Sequence, residues 1–117
     1  MTDVLALVDD LFFQAKLSQT AKQVGVNLKT VTTGEALTAA AGSDSPRLVL
    51  VDLNARQGAM EAVERLNASG DSGRVIAFLS HVQTDLAERA RAAGCQQVLP
   101  RSKFAAELAD ILRQAKM

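Results

Sequence analysis

Leu48-Val49-Leu50-Val51-Asp52-Leu53-Asn54 is the stretch on which the reading of this chain turns. Side chains alternate between the two faces of a strand, so four consecutive apolar residues describe a strand buried on both faces, as in a parallel sheet covered by helices. A carboxylate follows at once. Open α/β sheets bind ligands beyond the carboxyl ends of their strands, so Asp52 stands where chemistry is expected. Working outward, Val4-Leu5-Ala6-Leu7-Val8 has the same continuously apolar character and also runs into acid, Asp9-Asp10. Five Val- and Leu-rich stretches recur: Val4 to Val8, Val26 to Val31, Arg47 to Leu53, Arg74 to Leu79 and Cys95 to Leu99. Their starts are roughly 20 to 27 residues apart, which leaves room for a helix and its turns between consecutive parallel strands.

The intervening segments carry apolar residues at helical period: Phe13, Leu17, Thr20 or Ala21 and Val24 in the first, Ala59, Val63 and Leu66 in the third, and Phe104, Leu108, Ile111 and Ala115 in a last helix running to the end of the chain. Gly25, Gly42, Gly70 and Gly94 each follow such a segment, where a left-handed C-terminal cap is wanted. Alternating strands and helices with right-handed crossovers leave few topologies. The expected fold is α/β, a doubly wound five-stranded parallel sheet of order 2-1-3-4-5 with helices on both faces, flavodoxin-like, as a single domain over residues 1–117.

Composition narrows the function. The 117 residues carry 13 Lys plus Arg against 13 Asp plus Glu, and 48% are apolar. With zero formal net charge and no basic run, direct nucleic-acid binding and membrane-surface binding are not expected. Four Phe, with no Tyr or Trp, offer little for stacking a base or a flavin ring. The single Cys95 cannot form an internal disulfide, no apolar run approaches membrane-spanning length, and Met1-Thr2-Asp3-Val4 does not open a signal segment. A cytoplasmic protein is expected.

The strand ends supply the candidate site. Strand one ends in Asp9-Asp10, strand three in Asp52-Leu53-Asn54, strand four in Ser80-His81 and strand five in Pro100-Arg101-Ser102-Lys103. Three carboxylates meeting at one crevice raise one another's pKa or recruit a cation, and an oxygen-rich site beside solvent suits Mg2+.

This pattern resembles the receiver domain of two-component response regulators, the CheY-like superfamily, over nearly the whole chain. The residues that carry it are Val8-Asp9-Asp10, Val51-Asp52-Leu53-Asn54, Leu79-Ser80 and Leu99-Pro100-Arg101-Ser102. The resemblance implies that Asp52 is the phosphoacceptor, that Asp9, Asp10, Asp52 and the backbone carbonyl of Asn54 hold Mg2+, and that Ser80 hydrogen-bonds the phosphoryl group. It implies a regulatory phosphoacceptor rather than an enzyme. Its partners would be a sensor histidine kinase or phosphotransfer protein and a downstream protein target.

Several positions depart from the family pattern. The family's Lys after strand five is replaced by Arg101 in the simplest alignment, while Lys103 two residues on is an alternative; the sequence leaves both open. Val98 stands where the family places a Tyr or Phe, His81 stands where it places Ala or Gly, and Ala55-Arg56-Gln57-Gly58 replaces its Met-Pro stretch. Phe12 falls on the polar row of its helix with Lys16, Gln19 and Gln23, so it is either a partly exposed partner contact near the pocket mouth or folds back over the strand-end loops. These departures support a second reading, a pseudo-receiver that works as a protein-interaction module without phosphorylation. A third, an enzyme or cofactor binder on the same scaffold, is disfavoured. Asp9-Asp10 sits where a flavin phosphate would need amides and hydroxyls, no glycine-rich phosphate motif is present, and Cys95 and His81 do not form a nucleophile pair.

Overall fold

The computed structural model describes residues 2–69, 74–80 and 84–116. The element order is β1 (Val4–Leu7), α1 (Leu11–Val24), β2 (Leu28–Val31), α2 (Gly34–Asp44), β3 (Leu48–Asp52), α3 (Ala59–Ser69), β4 (Arg74–Leu79), α4 (Thr84–Ala92), β5 (Gln97–Pro100), α5 (Arg101–Ala106) and α6 (Leu108–Arg113), closed by a short 3-10 turn at Gln114–Lys116. The strands form one parallel sheet of order β2-β1-β3-β4-β5, as expected. Every residue of β1 and β3 is buried, which is what their continuous apolar runs require. The edge strands β2 and β5 are partly exposed.

Alternation along each strand sorts the apolar residues into two cores. Val4, Ala6, Leu48, Leu50, Ile76 and Phe78 face α1, α5 and α6, whereas Leu5, Leu7, Val49, Val51, Val75 and Ala77 face α2, α3 and α4. The expected helical rows are buried on these faces, with Phe13, Leu17 and Ala21 in α1, Val63 and Leu66 in α3, and Phe104, Leu108 and Ile111 beneath α5 and α6. On the first face Phe13, Phe78 and Phe104 form an aromatic cluster, with centroid separations of 5.3, 6.0 and 4.1 Å. Burying rings at these separations adds quadrupolar attraction to the area removed from water.

Three local expectations are corrected. Gly25 and Gly94 do cap α1 and α4 with φ of 88° and 103°, conformations that a Cβ disfavours. The apolar residue after each belongs to the cap rather than to the next strand. Val26 N–H donates to Ala21 O and Cys95 N–H to Ala90 O, so both are lost to the sheet ladder and the strands begin two residues later than their apolar runs. Gly42, by contrast, lies inside α2, and the left-handed cap falls on Ser45, φ 49°. The helix is carried past Gly42 because Asp44 is anchored from outside it, by Thr2 Oγ1 at 2.9 Å and by Lys29 Nζ at 3.8 Å. The last helix is interrupted at Glu107, φ −102° and ψ 11°, although Glu107 N–H to Lys103 O and Ile111 N–H to Glu107 O keep the helical rows on one face. Gly70 lies outside the described residues, as do the rest of the 70–73 connection and His81. No helix among the described residues is long and apolar enough to cross a membrane.

One glycine is needed for space. A Cβ on Gly34, the first residue of α2, would lie 2.1 Å from Gly58 O, while one on Gly42 would meet nothing within 4 Å. Gly34→Ala is therefore expected to cost about 2–4 kcal/mol through backbone displacement. Gly42→Ala should instead stabilise by roughly 0.5–1 kcal/mol through helix propensity. Urea unfolding of the two variants beside wild type checks both signs.

Candidate functional site

Parallel pairing aligns the carboxyl ends of the strands. Leu7 registers with Val31 and Val51, Val51 with Ala77, and Ala77 with Val98, so the residues just beyond this level emerge along a single edge. Asp9, Asp10, Asp52, Asn54, Ser80 and Arg101 line one open crevice of about 620 Å3 there. Thr32, Arg56 and Gln57 complete it. Lys103 lies two residues into α5, is exposed and is absent from the lining, so of the two basic candidates after β5 only Arg101 enters the crevice. A helix turns about 100° per residue, which carries Lys103 away from the direction Arg101 takes.

Asp52 continues the row of Leu48 and Leu50 and is registered beside Phe78, on the face with the aromatic cluster. It is 2% exposed and is the only buried polar or charged residue among those described. One carboxylate oxygen, Oδ1, accepts the Asn54 N–H at 2.9 Å. Burial pushes its pKa up; the Asn54 hydrogen bond and the charge of Arg101 oppose this, and the charges of Asp9 and Asp10 add to it.

Asp10 is held twice over. It is the N-cap of α1, with Oδ1 accepting Phe12 N–H at 2.9 Å and Phe13 N–H at 3.3 Å. Its other oxygen, Oδ2, accepts from the Arg101 guanidinium at 2.7 Å. The Phe13 amide, followed by Arg101, holds the Asp10 carboxyl below the usual carboxylate range. Arg101 is itself seated on the Phe13 ring, 4.4 Å from its centroid. Asp9 Oδ2 accepts the backbone N–H of Arg56 at 2.9 Å. That bond depends on the departure at this loop, since a proline in place of Arg56 would have no N–H to give. Asn54 Oδ1 accepts the Ser80 N–H at 2.6 Å and ties the end of β3 to the end of β4.

All the donors facing the crevice are hard oxygens, which suit Mg2+ in kind. Among the described residues no three acidic, His or Cys side chains are arranged to hold a metal together, and the second oxygen of Asp10 is engaged by Arg101.

Other sequence candidates lie elsewhere. Phe12 is 90% exposed and its neighbour Leu11 76%, so Phe12 does not fold back over the strand-end loops. Val98 packs against the α2, α3 and α4 core. Cys95 precedes β5, at the end of that strand away from the crevice; burial pushes its thiol up to about 11 and keeps it protonated near neutrality. Thr32, Arg56 and Gln57 were not singled out as lining residues from sequence. The signal available for Arg56 was a cation four residues after Asp52.

No protein-family model matches the chain, and no curated protein matches it. Solved structures do. A DNA-binding response regulator of the LuxR family from Staphylococcus aureus matches with a TM-score of 0.85 at 13% identity over 100% of both chains. The chemotaxis response regulator CheY4 of Vibrio cholerae matches at 0.82 and 18% over 98% of each chain. A response regulator in red light signaling of R. palustris matches at 0.74 and 21%, covering 97% of this chain and 90% of that one. The fold is that of the CheY-like receiver domains of response regulators. At these identities the likeness is one of fold.

Because the pKa of Asp52 is raised in the folded state, its ionisation opposes folding at pH values above that pKa. Below the ordinary value of 3.8 it is neutral in both states and the penalty vanishes. Asp52→Asn is therefore expected to raise the melting temperature by several degrees at neutral pH, the gain shrinking as pH falls toward 4. Thermal melts of both proteins across that range measure it.

Proposed function

We propose that this chain is a receiver in two-component signalling that accepts a phosphoryl group on Asp52 from a phosphohistidine of a sensor kinase or phosphotransfer protein. It then signals through protein contacts. The single observation that carries the reading is the Asp52 carboxylate, held out of water at the end of the central strand and opening onto a crevice lined by a hydroxyl, further acids and a guanidinium. A carboxylate poor in partners is a better nucleophile than a hydrated one.

In the transfer, a bond forms between an Asp52 carboxylate oxygen and phosphorus as the phosphorus–nitrogen bond of the donor breaks, its electron pair returning to the imidazole. The Asn54 amide fixes the orientation of the carboxylate. The Ser80 hydroxyl would donate to an equatorial phosphoryl oxygen, and Arg101 would supply positive charge from the end of β5. Asp9, Asp10, Asp52 and the Asn54 carbonyl would hold Mg2+, which when bound neutralises charge on the transferring group. Once the dianion stands on Asp52, the Asn54 to Ser80 link couples it to the start of the segment after β4.

Arg101 favours the second reading to one degree: by pairing with Asp10 it keeps a metal-site acid occupied, as a pseudo-receiver would. Net neutrality supports a protein target over nucleic acid.

Intact-mass measurement after incubation with a small phosphodonor and Mg2+ should show one phosphoryl adduct on wild type and none on Asp52→Asn. No adduct across donors and metals, with no Mg2+ binding, would leave only the interaction module. Arg101→Ala frees Asp10 and removes a competing cation, so Mg2+ affinity by calorimetry is expected to rise by on the order of tenfold.

A further inference from the structure

Among the described residues two arginines line the crevice, and they are in different states. Arg101 is paired with Asp10 at 2.7 Å and seated on the Phe13 ring at 4.4 Å. Arg56 is exposed, and its guanidinium has no hydrogen-bond or ion-pair partner among the described residues. Its backbone is nonetheless fixed on both sides. Ala55 N–H donates to Asp52 O at 3.0 Å, Arg56 N–H donates to Asp9 Oδ2 at 2.9 Å, and Gln57 O accepts Gly34 N–H at 2.7 Å. The close approach of Gly34 to Gly58 O locks the same loop onto the start of α2. A cation without a side-chain partner among the described residues is thus carried on a held loop of the crevice that Asp52 also lines.

The charges explain what it is for. Asp9, Asp10 and Asp52 face the crevice against Arg101 and Arg56. Without Arg56 three carboxylates would confront an incoming anion with one guanidinium, already engaged. A planar guanidinium offers paired N–H donors that match two oxygens of a phosphoryl group.

The geometry points to Arg56 as the residue that recognises the phosphoryl donor, drawing the dianionic group of a phosphohistidine or small phosphodonor to the crevice before transfer to Asp52. This rests on the phosphoacceptor reading above and adds to it a residue that selects the donor's charge. Arg56 does not join the transfer itself; it raises the encounter rate and orients the group through two of its three terminal oxygens. Its contribution is screened by salt, because the side chain is exposed.

The test uses Arg56→Ala, which keeps the backbone N–H to Asp9 and removes only the cation, with Arg56→Lys as the charge-preserving control. Two readouts are taken: the rate of adduct formation by intact mass at several salt concentrations, and binding of inorganic phosphate by amide NMR shifts at Asn54 and Ser80. In Arg56→Ala the second-order rate is expected to fall on the order of tenfold at low salt and to approach the wild-type rate as salt screens the lost attraction, with the final extent unchanged and the phosphate shifts weakened. Arg56→Lys should recover part of both. A wild type that is phosphorylated, with Arg56→Ala matching it in rate and salt dependence, overturns the role of Arg56 and spares the phosphoacceptor. A wild type that binds phosphate through Arg56 but takes no phosphoryl group sinks the phosphoacceptor reading and leaves Arg56 as an anion-binding residue. Phosphate shifts identical in wild type and Arg56→Ala, without phosphorylation of either, overturn both.

Discussion

The structure depends on β1 and β3 lying side by side with both faces covered. Residues 4–7 and 48–52 are buried throughout, so their backbone N–H and C=O groups must find protein partners, most of which the neighbouring strands supply. That obligation fixes the register Leu7 to Val51, and through it the level at which every other strand ends. A slip of one residue would exchange the two faces of β3. Asp52 would then turn from the aromatic core side toward Leu37 and Val63, and the acids after β1 would no longer stand level with it. Placement of the crevice is therefore a consequence of strand burial.

Bringing acids together is unfavourable, and the chain answers the problem in three ways. Asp10 is made part of a helix cap and given a cation, Asp9 is given a backbone amide, and Asp52 is left with one amide and little water. The first two groups have partners for their charge, whereas burial disfavours the charge of the third. This division makes the crevice asymmetric: two acids with structural duties flank one without. Asp10 shows that a capping residue and a site residue need not be alternatives, since its two oxygens do the two jobs separately.

Most of the fold was legible because parallel strands announce themselves by continuous apolar runs. Strand order, both faces and the rows Phe13-Leu17-Ala21 and Phe104-Leu108-Ile111 followed from periodicity. What escaped was decided by contacts distant in sequence. Gly42 has the composition of a cap but is overruled by Thr2 and Lys29, which hold Asp44 from other elements. Val26 and Cys95 have the composition of strand residues but close helix caps. At the site, the strand-end acids could be named from position alone. The choice between Arg101 and Lys103 required the direction in which α5 leaves β5, and the exposure of Phe12 required knowing that no segment among the described residues folds over it. Arg56 was hidden for a different reason: among the described residues its side chain has no partner while Arg101 has two, a contrast that only coordinates reveal.

The stacking of Arg101 on Phe13 has a practical side. The circulating π electrons of a benzene ring shift the resonances of nuclei held above its face, so the protons around Arg101 Cζ, which lies 4.4 Å from that centroid, should stand apart from those of arginines in water. With no Tyr or Trp in the chain and only four Phe, few other rings compete with this signature. The occupancy of the Asp10 carboxylate by its guanidinium can thus be followed in solution as a chemical shift, without any label being attached to the protein.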